Sequence, residues 1–120
     1  MDGFTKSLVI HGLLDPQSLL GSYQWEPLAE GVNSATLYQT GEVSCRAALL
    51  HYLPGASVAT HRHAGFEHIL ILHGSQHDGD VVYRPGTLVI HKPGTSHSIY
   101  SPHGCIALGI WEKPVEFMPE

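Results

Sequence analysis

The sequence predicts an all-β fold, a sandwich or closed barrel, on three observations. Thirteen glycines and eight prolines punctuate a series of short apolar segments. No segment keeps a helical period for more than a few residues. Turns bearing Gly or Pro, such as Tyr38-Gln-Thr-Gly41, Leu53-Pro-Gly55, Arg84-Pro-Gly86 and Lys92-Pro-Gly94, separate the segments. Short strands at that regular spacing suit two stacked sheets or one closed sheet.

Taken in order, Leu8-Val-Ile10 is expected as an edge strand. Asp15-Pro-Gln-Ser-Leu-Leu20 is expected as one helical turn, with Asp15 as its cap and Pro16 at its first position, where a missing N–H costs nothing. Residues 1–23 then form an N-terminal arm, and residues 24–120 form the barrel domain. Strands are expected at Ala35–Gln39, Val43–Leu53, His68–His73, Val81–Tyr83, Thr87–His91, His97–Tyr100 and Cys105–Trp111. In the closing stretch, Trp111-Glu-Lys-Pro-Val-Glu-Phe-Met118, Pro114 breaks the alternation, which suits an edge segment or an exchanged tail. Open edges invite pairing, so a homodimer formed through the arm or this tail is expected.

A chain of 120 residues has room for one domain, and 42% apolar with 14% charged residues suits a packed core. Six Lys and Arg against eleven Asp and Glu, with no basic run, lack the electrostatic footprint of a nucleic-acid binder. No apolar run approaches the roughly 20 residues of a membrane span. The start Met1-Asp-Gly-Phe-Thr-Lys lacks the order of a signal peptide, so the expected location is the cytoplasm. Cys45 and Cys105 stand alone in apolar surroundings and read as buried reduced thiols; a redox pair requires their strands to be neighbours.

The chemistry concentrates in Gly55-Ala-Ser-Val-Ala-Thr-His61-Arg-His63-Ala-Gly65-Phe-Glu67, closed by Gly74, and in Pro93-Gly94-Thr-Ser-His97. Alternate side chains of an extended segment share a face, so His61 and His63 project together. Gly65 permits the turn that returns Glu67 to the pair, and Glu67 begins a face continuing through Ile69, Ile71 and His73. His97 must arrive from another strand, started by the Lys92-Pro-Gly94 turn. Three imidazoles and one carboxylate, without thiolate, suit one divalent ion of zinc, iron, manganese or nickel. The competing arrangement is a barrel that keeps these histidines as hydrogen-bonded polar groups without an ion.

The spacing Gly-x5-His-x-His-x3-Glu-x6-Gly, met by Gly55, His61, His63, Glu67 and Gly74, resembles the first motif of the cupin superfamily. The second cupin motif is met in part. Gly94 and His97 fall in register, Lys92 takes the usual proline slot with Pro93 one place later, and Ser101 replaces an asparagine. Six residues separate Gly86 from Pro93 where the motif has five. A narrower resemblance, over about Leu49 to Trp111, is to the ChrR-like cupins. It rests on His61-Arg-His63-Ala-Gly65-Phe-Glu67-His-Ile-Leu-Ile-Leu-His-Gly74, Pro93-Gly94-Thr-Ser96-His97 and Ser101-Pro-His-Gly104-Cys105. The resemblance implies a cupin jelly-roll barrel, or double-stranded β-helix, with His61, His63, Glu67 and His97 as metal ligands. That branch includes the C-terminal domain of a zinc-dependent anti-sigma factor whose sequestering activity lies in an N-terminal zinc domain with paired cysteines. Residues 1–23 contain His11 and no cysteine, so that activity is not expected here.

Three function classes follow: a metal-holding sensor or binder of a small molecule or oxidant, a metal-dependent dioxygenase or isomerase, and a structural metal barrel. Outside the motifs, His73 and His51 are candidates to support the ligands or face a substrate. His11, His68, His77, His91 and His103 are expected at the surface or in ordinary hydrogen bonds. Tyr52, Tyr100, Trp25 and Trp111 are expected in packing, with one of them a candidate to line a pocket. Arg62 and Arg84 are available to read a substrate, though neither stands out.

Overall fold

The structure, a computed structural model, describes residues 7–41 and 45–118. One short helix and eleven strands are present among the described residues. The helix α1 spans Pro16–Ser22, and the strands are β1 Glu26–Ala29, β2 Val32–Gln39, β3 Arg46–Tyr52, β4 Ala56–His63, β5 Glu67–Gly74, β6 Gln76–Asp78, β7 Val81–Tyr83, β8 Leu88–His91, β9 Ser96–Ser101, β10 Cys105–Trp111 and β11 Val115–Phe117. They form a six-stranded sheet ordered β1-β2-β3-β10-β5-β8 and a five-stranded sheet ordered β11-β4-β9-β6-β7, every described pairing antiparallel. This is a jelly roll.

The central strands of the six-stranded sheet are buried on both faces, while its edge strands β1 and β8 are largely exposed. Its inner face supplies Val32, Leu50, Tyr52, Ile69, Ile71, Cys105 and Ala107 to a core shared with Ala56 and Ile99 of the other sheet. Its outer face carries Ala35, Leu49, Leu72 and Ile106, which pack with Leu19 of α1 and with Leu13, Tyr23 and Trp25. Burial on both sides explains the unbroken apolar run Ala47-Ala-Leu-Leu50, where a half-exposed strand would alternate. The start of α1 is held as its sequence predicts, with the Asp15 carboxylate accepting from the Gln17 and Ser18 amides and Pro16 in the first turn. Leu19 then ties the helix to the sheet.

Several expectations shift. Leu8–Ile10 forms no strand, and Leu8 and Val9 lie exposed. The strand expected from Val43 is seen from Arg46, its first residues lying outside the described ones. The tail does form an edge strand, β11, which pairs with β4 of its own chain as Val115–His63, Glu116–Arg62 and Phe117–His61. Strands β1, β4 and β6 carry Pro27, a polar run and a short polar triplet respectively, so composition gave them little signal. Cys45 and Cys105 are both free. They flank opposite ends of β3, roughly 20 Å apart at strand rise, which rules out a disulfide between them. Burial pushes the Cys105 thiol up to about 11, the value of an inert thiol. Among the described residues no helix is long and apolar enough to cross a membrane.

Two irregularities in the ladders decide which residues face inward. On β4, Val58 pairs with Ile99 and His61 with His97, so Ala59 and Thr60 oppose a single residue of β9. This bulge switches the inward parity from Ala56 and Val58 to His61 and His63. On β5, Ile71 pairs with Ala107 and His73 with Ile106, which makes Leu72 an extra residue and turns His73 to the outer face. The β5 strand then ends at Gly74, at φ +76°, where an added Cβ would collide with the backbone carbonyl of Gly104 and lie 2.7 Å from the Cys105 Cα. Gly74→Ala is expected to destabilise the protein by about 3 kcal/mol or more, since both the backbone and the neighbouring strand must move. Urea unfolding measures it; a loss below about 1 kcal/mol contradicts this packing account.

Candidate metal centre

His61 and His63 from β4, Glu67 from β5 and His97 from β9 converge between the two sheets, with one donor atom from each lying within 4.8 Å of the others. His63 and Glu67 are almost fully enclosed, at 1% and 4% exposure, and His61 is similarly buried. The register makes the convergence: His61 sits directly opposite His97. The turn before β9 is tied to the first segment, the Gly94 amide donating to the His63 carbonyl and the His63 amide to the Thr95 carbonyl, both at 2.8 Å. Gly94 adopts φ +90° there, a conformation that favours glycine. Gly65 has a different role from the one its position suggested. Its φ is not in the left-handed region; a Cβ would lie 3.1 Å from the Lys113 amide and against the Glu112 side chain, so the residue is small to let the chain pass.

The outer nitrogen of each ring fixes its tautomer. The His61 Nδ1–H donates to the Ala59 carbonyl at 3.0 Å, an acceptor supplied by the bulge itself. Thr95 donates its hydroxyl to the Lys92 carbonyl, so its oxygen accepts from the His63 Nδ1–H at 2.8 Å. The His97 Nδ1–H donates to Asp78 Oδ2 at 2.9 Å. With Nδ1 carrying a proton in all three rings, each Nε2 faces the centre, where a neutral ring offers a lone pair. The His61 and His97 Nε2 atoms lie 3.0 Å apart. The buried His63 Nε2 approaches Glu67 Oε1 at 3.2 Å but has no hydrogen-bond partner. The other carboxylate oxygen of Glu67 accepts from the Trp111 indole N–H at 2.6 Å.

Burial lowers the His61 pKa, and burial with the neighbouring imidazoles lowers His63 to about 4. Glu67 is raised by burial, against the pull of the Trp111 hydrogen bond and His97. His61 and His63 therefore stay neutral near pH 7. Three imidazole nitrogens and one carboxylate form a set able to hold one divalent ion. Hydrogen-bonded histidines alone, the competing arrangement, would join His61 Nε2 to His97 Nε2 but leave the buried His63 Nε2 orphaned.

The sequence missed three neighbours of this cluster. His91, expected in a surface or ordinary role, faces inward directly opposite Glu67 on β8, its Nε2 3.8 Å from Glu67 Oε1. Its ring stacks on His63 at 4.6 Å and 16°, and two stacked rings cannot both aim an in-plane lone pair at one ion, so His91 backs the cluster instead of joining it. Asp78 was hidden in the polar β6 segment. Trp111 was recognised for packing but not for its hydrogen bond to Glu67. Conversely, His51 and His73 face away: His51 packs edge-on against Trp25, and His73 Nε2 lies 2.9 Å from the Leu13 carbonyl. Arg62 pairs outside the barrel with Glu116 at 2.7 Å, and Arg84 is exposed in a turn.

A cavity of about 290 Å³ opens between the sheets onto His61, Glu67 and His97, walled mainly by apolar side chains including Leu50, Val58, Ile69 and Ile99. Tyr52 and Trp111 line it, whereas Tyr100 lies on the outer surface against His77. Polar entries come from Gln39, Arg46 and Gln76.

The sequence profile of the ChrR cupin-like domain matches residues 19–114. The chain belongs to that family. It is similar to a chain in the crystal structure of Rhodobacter sphaeroides SigE in complex with the anti-sigma ChrR, with 30% identity and a TM-score of 0.66 over 74% of this chain. It spans about half of that chain, 48%. An RmlC-like cupin from Ralstonia eutropha matches at 20% identity and TM-score 0.74, covering 82% of this chain and 68% of that one. Acetylacetone dioxygenase from Acinetobacter johnsonii matches at 17% identity and TM-score 0.77, covering 100% and 83%. The last two show the cupin fold alone. None of the curated proteins compared is similar to this chain.

Without metal, the buried rings set a pH dependence. His63 and His91 are both lowered to about 4 from 6.5 by burial, so the unfolded chain binds protons that the folded chain refuses between those values. Stability must fall as pH drops through that window; Glu67, raised, opposes the trend as one group against four, since burial lowers His51 and His61 as well. The urea midpoint of chelator-treated protein is expected to fall between about pH 7 and pH 5, and a flat or rising midpoint would contradict the assigned protonation.

Proposed function

We propose that this chain is a cupin that holds one divalent ion on His61, His63, Glu67 and His97 and binds a small organic molecule in the adjoining cavity, in a sensing or binding role. The observation that carries the metal reading is the convergence of three Nε2 lone pairs on a buried carboxylate, each ring pinned through Nδ1. Like-polarity atoms forced together in a dry site repel one another, and a cation among them turns that repulsion into attraction. When bound, the ion supplies a Lewis acid that polarises an oxygen donor of the guest. The protein's own residues do the remaining work. Asp78, Thr95 and the Ala59 carbonyl orient the rings, Trp111 orients Glu67, and the apolar walls exclude water.

Enzyme activity is the second reading, a metal-dependent dioxygenase or isomerase on a small organic substrate. It is favoured by the cavity opening directly onto three of the cluster's side chains. The fold shared with the Acinetobacter johnsonii acetylacetone dioxygenase is compatible with it. Against it stands the outward orientation of His51 and His73, the imidazoles expected from the sequence to support the ligands or face a substrate. Homodimer formation remains part of the proposal: Leu8, Val9 and Leu14 of the arm, and Phe117 of the tail, present exposed apolar side chains on the segments expected to pair. Residues 1–23 act in it as an arm and 24–120 as the barrel, with the assembly in the cytoplasm.

Elemental analysis of untagged protein is expected to find about one divalent ion per chain, and His97→Ala to lower affinity for it by at least 100-fold. Metal content that survives His61→Ala and His97→Ala together would falsify the site.

A further inference from the structure

One row of inward-facing side chains crosses five strands of the larger sheet. Gln39 on β2 pairs with Arg46 on β3, Arg46 with Trp111 on β10, Trp111 with Glu67 on β5, and Glu67 with His91 on β8. Arg46 therefore lies on the same level as the metal cluster, two strands away, about 10 Å between backbones at ordinary strand spacing. It is the one Arg or Lys among the residues lining the cavity. Its Cζ stands 5.3 Å from the centre of the Trp111 ring, whose N–H reaches Glu67.

The guanidinium is held by neutral groups among the described residues. Its Nη2 donates to Ser34 Oγ at 3.3 Å and Thr36 Oγ1 at 3.1 Å, both neutral acceptors. Among the described residues no carboxylate pairs with it. Both of those hydrogen bonds leave from Nη2, so the Nη1 and Nε donors remain available to a guest. A half-buried cation fixed by hydroxyls and by an aromatic face, beside an otherwise apolar cavity, is a receptor for an anionic group.

We propose that the cavity takes a small organic acid, its carboxylate on the Arg46 guanidinium and a second oxygen at the metal cluster, some 10 Å or less away across Trp111. This rests on the metal reading of His61, His63, Glu67 and His97. A carboxylate suits the site because one guanidinium matches one planar anion in a bidentate pair, and the walls of Leu50, Val58, Ile69 and Ile99 accommodate a short carbon chain. Arg46 is thus a specificity residue. Arg62 and Arg84, the arginines noted in the sequence, lie outside.

The test is calorimetric titration of zinc-loaded protein with succinate, glutarate and adipate, each against its diamide. At least one diacid should bind tenfold or more tighter than its diamide. Arg46→Gln should abolish that preference with zinc content unchanged, and Arg46→Lys, which keeps the charge, should retain part of it. Should Arg46→Gln fail to fold, Arg46→Lys decides: its bidentate fork is gone, so its preference must fall below that of the wild type. Equal affinities for every acid and amide pair, no binding of any diacid up to about 10 mM, or a preference intact in Arg46→Gln, would each overturn the proposal while the zinc reading stands. If the protein takes up no zinc, the metal reading fails. A diacid preference lost in Arg46→Gln would still establish the carboxylate site in that case, and no preference would overturn both.

Discussion

Three imidazole nitrogens and a carboxylate meet in a buried space between the sheets, and nearly every local feature around them holds that crowding in place. Left alone, each Nε2 would rotate or protonate to escape its neighbours. The Nδ1 hydrogen bonds to Ala59, Thr95 and Asp78 prevent rotation, and burial opposes protonation of His61 and His63. A buried polar atom without a partner, as His63 Nε2 is, costs on the order of 1–3 kcal/mol and demands compensation. An apolar core shared by two sheets supplies it in the folded chain, and a bound cation removes the cause.

The device that aims these residues is the β-bulge. One extra residue on β4 turns His61 and His63 into the barrel and simultaneously exposes the Ala59 carbonyl that fixes His61. One extra residue on β5 turns His73 out after Glu67, Ile69 and Ile71 have faced in. Because strand parity is a binary property, each bulge reverses every side chain beyond it. The same sheet then carries two faces with different tasks. The inner face holds the cluster and cavity; the outer face, covered by α1 and the arm, contributes only packing.

The fold class, the turn positions, the capped helix at Asp15 and the four converging residues were legible in the sequence because each depends on local spacing or on turn chemistry. What stayed hidden depends on pairing between distant strands. His91 matters because β8 places it opposite Glu67, and Asp78 because β6 passes His97. Arg46 reads as an isolated charge before an apolar run until the register sets it level with Trp111 and Glu67. His73 was misplaced by a sound parity argument that a single inserted residue overturned. Strand β4 was legible only where His61 and His63 share an extended segment, because its composition serves the cluster and not the core: Thr60, His61, Arg62 and His63 are polar. The sequence departs from ordinary β patterning where the chemistry sits.

In this chain the arrangement joins a polar cluster, each ring held through its Nδ1, to a mainly apolar cavity. The central claim is the tautomeric state of three rings. Long-range proton–nitrogen correlation NMR of histidine-labelled, metal-free protein reports it directly. His61, His63 and His97 should each show a protonated Nδ1 and a bare Nε2 at neutral pH, and zinc should shift the three Nε2 signals together at one equivalent. Protonated Nε2 atoms in these rings, or Nε2 signals unmoved by zinc, would contradict the account.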